Sequence, residues 1–152
     1  MKYFKIAQLS VLLCTGLFLS VAVTANEWQL NADASQLSFI STKKTHIAET
    51  HHFNQLDGFL DAQGQFSLDI DLASVDTHIA VRDERMKTYL FDIKQFATAK
   101  VSAKVDLAVL ESVAEGASKH MTIDATLALH GETQPLALNV IVTRLVGAKL
   151  SV

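Results

Sequence analysis

Gln65-Phe66-Ser67-Leu68-Asp69-Ile70-Asp71-Leu72 decides the fold of this 152-residue chain. Apolar and polar side chains alternate here without a slip, so Phe66, Leu68, Ile70 and Leu72 face one way and Gln65, Ser67, Asp69 and Asp71 the other. A repeat of two marks an extended strand with one dry side. The same period returns in Val101, Ala103, Val105, Leu107 and Val109, and again in Met121, Ile123, Ala125, Leu127 and Leu129. Further strands are expected over Trp28 to Ala32, Gln36 to Thr42, His51 to Leu60 and Leu136 to Thr143. Asp61 to Gly64 and the HGETQ segment at 130–134 read as hairpin turns. About eight strands joined mainly by hairpins either stack as a sandwich or roll up. Strands of about ten residues reach roughly 33 Å. That length favours an all-β, mainly antiparallel up-and-down barrel, wide enough at about eight strands to hold one small ligand.

One segment breaks the rhythm. Arg82 to Asp92, RDERMKTYLFD, carries six charges, five of them ahead of a run of large apolar residues. Met86, Tyr89, Leu90 and Ile93 fall at i, i+3, i+4 and i+7, a stripe on one helical face, while Asp83 and Lys87 are spaced as an i,i+4 ion pair. Asp76 or Thr77 is placed to cap the start. The expectation is a short helix whose apolar side closes a barrel mouth. Packing on the outside of the sheet is the plainer alternative.

The first 25 residues read as a secretory signal peptide: Lys2 and Lys5, an apolar run from Ile6 to Val23, and Val23-Thr24-Ala25 as a cleavage site before Asn26. An uncleaved membrane anchor is the alternative, disfavoured by Gln8, Ser10, Thr15 and Ser20 within the run. Cys14 follows a bulky Leu13, unlike a lipoprotein signal, and leaves with the peptide. Residues 26–152 then form one domain without cysteine, so no disulfide or thiolate metal site holds it. Without Lys2 and Lys5, eleven basic side chains face sixteen acidic ones, a net charge of −5. No basic stripe of the kind a nucleic-acid binder needs is present.

SQLSFISTKK, HHFNQLDGFL, IDLASVDTHIAVRDERMKTYLFD and TLALHGETQPLAL occur in that order and are spread over most of the mature chain, from Ser35 to Leu138. They resemble the successive signature segments of the YceI-like family of exported bacterial proteins. The resemblance implies an extended lipocalin-like barrel in the periplasm, with an internal tunnel for a long polyisoprenoid such as a quinone tail or polyprenyl chain. It implies no cofactor beyond that lipid, and leaves room for transient contact with a membrane or a membrane protein to load it. Family members usually continue past the Leu136 to Thr143 strand, whereas this sequence stops at Val152. An open seam with an exposed edge is therefore expected.

The interior candidates are Phe39, Phe53, Phe66, Leu68, Ile70, Met86, Leu90, Leu107, Leu127 and Leu129, each of which would equally serve as plain core. Arg82, Asp83 and Arg85 are candidates for a rim that meets a lipid head group, or simply for tying the helix down. Catalytic machinery is not visible: no nucleophile elbow and no phosphate loop occur. Asp69 and Asp71 share a strand face but alternate with apolar residues, which places them in water rather than in a cleft. On a continuous strand His51 and His52 point to opposite faces, and His46 lies ~20 Å from His52, so no local metal site follows. A metal-dependent hydrolase built on histidines and aspartates, and a stress-related structural or interaction protein with a filled barrel, stand as the alternative functions. Oligomeric state is not readable.

Overall fold

The structure is a computed structural model describing residues 28–44, 46–147 and 149–151. The expected signal peptide and its cleavage site lie outside the described residues. Along the chain run β1 (Trp28–Gln29), β2 (Leu37–Lys43), β3 (Ile47–Phe53), β4 (Leu56–Leu60), β5 (Gln65–Asp71) and β6 (Val75–Asp76). Helix α1 (Ala80–Arg85) continues directly into a π-helical turn, Met86–Leu90. Then come β7 (Thr98–Lys104), α2 (Leu107–Glu111), β8 (Ser118–Leu129), β9 (Glu132–Leu145) and β10 (Lys149–Ser151).

All pairings are antiparallel and fall into two sheets, one of seven strands in the order β1-β4-β5-β7-β8-β9-β10 and one of three, β2-β3-β6. The large sheet curls into a half-barrel, and the small one closes over its inner side. The architecture is lipocalin-like. Alternation on β5 sets the registers: Phe66, Leu68 and Ile70 stand beside Ala103, Val101 and Ala99, which continue through Val101↔Leu127 and Ala103↔Ala125 into β8. One inner face results.

That face carries two apolar clusters along its length. The first joins Ile70, Leu72, Val75, Phe91, Ala99, Val101 and Ala125, with Phe39, Phe53, Leu127 and Leu129 packed against it. The second joins Leu60, Val105, Leu110 and Val142, with Trp28 and Leu107 against it. Phe66 touches both. The edge of β9 away from β8 pairs with β10 only at residues 143–145. Pro135, which has no N–H to give, is tolerated on such an edge.

Several expectations need correction. The strand over Val101 to Val109 stops at Lys104, because the Asp106 carboxylate accepts from the Ala108 amide and caps α2. Leu107 is thus a helix residue at the second cluster, not a strand residue of a tunnel wall. His51 to Leu60 is not one strand but two, β3 and β4, belonging to different sheets; Gln55 bonds back to Ser74 and Asp71 at the crossing. Trp28 to Ala32 is strand only at Trp28–Gln29. The HGETQ turn shrinks to His130-Gly131, both at positive φ (53° and 79°), a two-residue hairpin turn whose twist suits antiparallel strands.

The Asp61 to Gly64 hairpin is as expected, held by the Asp61 carboxylate accepting from the Gln63 and Gln65 amides at 2.9 and 2.8 Å. Gly64 has φ +79°, and a Cβ there would collide with the backbone carbonyl oxygen of Val105. The same contact carries a hydrogen bond from the Val105 amide to the Gly64 carbonyl, 2.8 Å. Neither backbone can retreat without losing it. Gly64→Ala is expected to destabilise the protein by more than about 2 kcal/mol, read as a lower urea midpoint.

Candidate functional site

Leu90, Phe91, Leu127, Leu129, His130, Glu132 and Gln134 line an apolar pocket of about 450 Å³. It lies where the β8–β9 hairpin passes beside the helical insert. A larger depression of about 580 Å³, lined by Phe59, Phe66, Ala103 and Ala125 as well as Ser67, Lys100, Ser102, Asp124 and Thr126, is open to solvent and mixed in character. By register Phe59, Ser67, Ser102 and Thr126 stand on the outward face, opposite Leu68 and Leu127. The smaller pocket adjoins the first apolar cluster through Phe91, Leu127 and Leu129.

The insert meets this pocket by an unexpected geometry. The Phe91 amide donates to Met86 O at 2.9 Å, an i→i+5 bond that widens the helix by one residue. Phe91 therefore joins the first cluster with Met86 and Ile93 packed against it, where the 3.6-residue count had placed Met86, Tyr89, Leu90 and Ile93. Tyr89 is left 83% exposed and Leu90 half out of the structure, lining the pocket edge. Phe91 packs its ring 5.9 Å from that of Phe53, and Phe53 lies 5.4 Å from Phe39. A run of aromatic rings thus leads from the pocket into the small sheet.

The insert is latched at its start, though not by the residues expected to cap it. Ile79 occupies the cap position with no side-chain bond. The Asp76 carboxylate accepts from the His78 amide at 2.7 Å, and that bond above all holds its pKa below the usual carboxylate range. Thr77 gives its amide and hydroxyl protons to the Asp83 carboxylate at 2.9 and 2.5 Å. Asp83 is therefore turned inward, and Lys87 pairs with Glu84 instead (3.2 Å). Arg82 reaches across to β3, donating to Glu49 at 2.6 Å and to the Thr77 carbonyl at 2.7 Å. Of the three rim candidates, Arg82 and Asp83 fasten the insert, and Arg85 is exposed.

Eight of the ten interior candidates, Phe39, Phe53, Phe66, Leu68, Ile70, Met86, Leu127 and Leu129, are gathered in or against the first cluster. Leu90 is at the pocket and Leu107 at the far cluster. Sequence reading passed over Phe91, whose place depends on the π turn, and Glu132 and Gln134, polar residues at the β9 start. It also passed over the burial of His51, which is 2% exposed with its ring against Phe39. Asp69 lies on the outer face against Lys100 (2.8 Å), and Asp71 caps the turn after β5. Among the described residues no three His, Cys, Asp or Glu side chains converge as a metal site. His52 points away from His51 and meets Ser38 and Gln36.

A curled antiparallel sheet with a latched helical insert beside an apolar pocket defines a lipocalin-like class of protein. The sequence matches the family described as YceI-like domain over residues 28–152. This chain belongs to the YceI-like family. Among solved structures it is similar to a polyisoprenoid binding domain from Saccharophagus degradans implicated in plant cell wall breakdown. The two share 43% identity at a TM-score of 0.74, over 77% of this chain and 67% of the other. It also shares its fold with BcnA of Burkholderia cenocepacia, at 15% identity and a TM-score of 0.52, over 74% and 69% of the two chains. No curated protein matches it in sequence.

Proposed function

We propose that this protein is a periplasmic carrier or sequestering protein that binds a long polyisoprenoid, a quinone tail or polyprenyl chain, and is not an enzyme. The carrying observation is the apolar pocket of about 450 Å³ beside the insert, bounded by Leu90, Phe91, Leu127 and Leu129. Its volume falls within the range of about 300–1,000 Å³ usual for small-molecule sites. The 43% identical domain described as polyisoprenoid binding supports the choice of ligand. Burial contributes about 0.8 kcal/mol per CH₂, so a few isoprene units bind without a charged anchor. Phe39, Phe53, Phe66, Leu68, Ile70 and Met86 form the apolar surface along which the chain runs, and Leu107 bounds its far end. Export by a cleaved signal peptide at 1–25 delivers the protein to the periplasm, and loading there involves transient contact with a membrane or membrane protein.

The test is organic extraction of the protein purified from a periplasmic fraction in native form, followed by mass spectrometry. A co-purifying isoprenoid in near-stoichiometric amount is expected. Protein that is empty on isolation and takes up no added polyprenyl lipid overturns the reading.

A further inference from the structure

Four large apolar side chains stand uncovered on the insert between Ile79 and Leu90. Ile79 is 49% exposed, Val81 64%, Tyr89 83% and Leu90 59%. The inward side of the insert is already taken: Met86 packs against the first cluster, Asp83 is held by Thr77, and Arg82 by Glu49. Val81, Arg85 and Tyr89, spaced by four, are all exposed on the other side. Single exposed apolar residues are ordinary, but four on one short segment mark a contact surface. Charge sets the segment apart as well. Residues 79–94 carry four basic and three acidic side chains, whereas the rest of 26–152 carries seven against thirteen. Asp83 is turned inward and Glu84 pairs with Lys87, while Arg85 and Lys94 are exposed and in no ion pair among the described residues.

We propose that the outer side of the insert docks the protein on a bilayer containing anionic phospholipid, with Ile79, Val81, Tyr89 and Leu90 entering the interface and Arg85 meeting the phosphates. The inference rests on the polyisoprenoid reading and deepens it. A polyprenyl chain resides in a bilayer, and Leu90 belongs both to the docking surface and to the pocket edge, so docking brings the pocket to the source of its ligand. The residue types suit a phospholipid surface. A short amphipathic segment lies in the interface plane with its apolar side among the acyl chains, a tyrosine ring sits at headgroup level, and an arginine on the same side reaches the phosphates. Because the negative excess lies elsewhere in the domain, the insert is the side that an anionic surface repels least. A second copy of this chain fits less well, since a twofold contact centred on the stripe sets Arg85 against its own counterpart.

Cosedimentation of the whole protein with vesicles of phosphatidylcholine mixed with phosphatidylglycerol, and with vesicles of phosphatidylcholine alone, measures the docking. The mixed vesicles are expected to hold several-fold more protein. Val81→Ser combined with Tyr89→Ser is expected to weaken binding to both about tenfold, and Arg85→Glu to weaken binding to the mixed vesicles alone, again about tenfold. Uptake of a polyprenol added in solution is expected to be the same in the double variant as in wild type, which also shows that the variant is folded. A polarity-sensitive dye on an introduced cysteine locates the contact. On Tyr89→Cys its emission is expected to move to the blue when mixed vesicles are added, and on Thr126→Cys, at the outward face of β8, to stay put. Equal vesicle binding by wild type and the double variant, a dye that shifts as far at 126 as at 89, or a wild-type dimer that the double variant dissociates, the mark of a second copy on this face, each overturns the docking surface. Polyprenol uptake that persists in any of those cases leaves the carrier reading standing. Vesicle binding through the insert by a protein that takes up no polyprenol overturns the carrier reading and keeps the docking surface.

Discussion

Asp83→Ala is expected to cost about 2–4 kcal/mol and to loosen the insert before the rest of the molecule unfolds. The Asp83 carboxylate is the acceptor for both the amide and the hydroxyl of Thr77, and Thr77 is 2% exposed. Truncation leaves the buried Thr77 amide without a partner and its hydroxyl with only the distant Ile79 carbonyl at 3.5 Å, each donor worth about 1–3 kcal/mol when orphaned. Relaxation recovers part of the sum. Asp83→Asn keeps one oxygen at the same place and loses the charge, so its cost is expected to be well below half. Urea unfolding measures the totals, and native-state hydrogen exchange at the Thr77 amide locates them. The functional counterpart is faster release of a bound polyprenyl chain, since α1 and the π turn are fastened at this end by Asp83 and by the bonds from Arg82 to Glu49 and Thr77. An Asp83→Ala protein as stable as wild type, with unchanged exchange at Thr77, shows that the latch is not there.

How much of this was legible in the sequence depended on what range of interaction set each feature. The alternation of Phe66, Leu68 and Ile70 is a local property of one strand, and the sheet register follows it across β7 into β8. The His130-Gly131 hairpin and the Asp61 turn are likewise encoded within a few residues. Leu107 misleads because Val105, Leu107 and Val109 fit a strand while Asp106 between them caps a helix, and the cap prevails. The break between β3 and β4 is decided by which sheet each half joins, a tertiary choice with no mark in His51 to Leu60. The insert shows the sharpest contrast. Its charges announced a helix, but a turn of i→i+5 bonding exchanged Tyr89 for Phe91 on the buried face. His51 looked like one more polar strand residue. Its burial is a tertiary outcome, with its ring set edge-on against Phe39 of the neighbouring strand.

The π turn makes a second large effect specific to one ring. Phe91→Ala is expected to cost about 3–5 kcal/mol, whereas Tyr89→Ala, two residues earlier and 83% exposed, should fall within about 0.5 kcal/mol of wild type. Phe91 belongs to the first apolar cluster, faces Phe53 of the small sheet, and bounds the pocket opposite Leu127 and Leu129 of the large one. Its removal unpacks both sheets at once and enlarges the pocket by most of a benzene ring. A long apolar ligand can occupy that added space, so the deficit should shrink when the variant is unfolded in the presence of a polyprenyl lipid, by more than the ligand stabilises wild type. Linkage supplies the comparison: stabilisation grows with ligand concentration over Kd for whichever form binds the native state. Urea midpoints of the two variants and wild type, each with and without lipid, contain the whole test. If Tyr89→Ala proves the costlier change, the insert packs with ordinary helical spacing, and the wall assigned to Phe91 belongs to another residue.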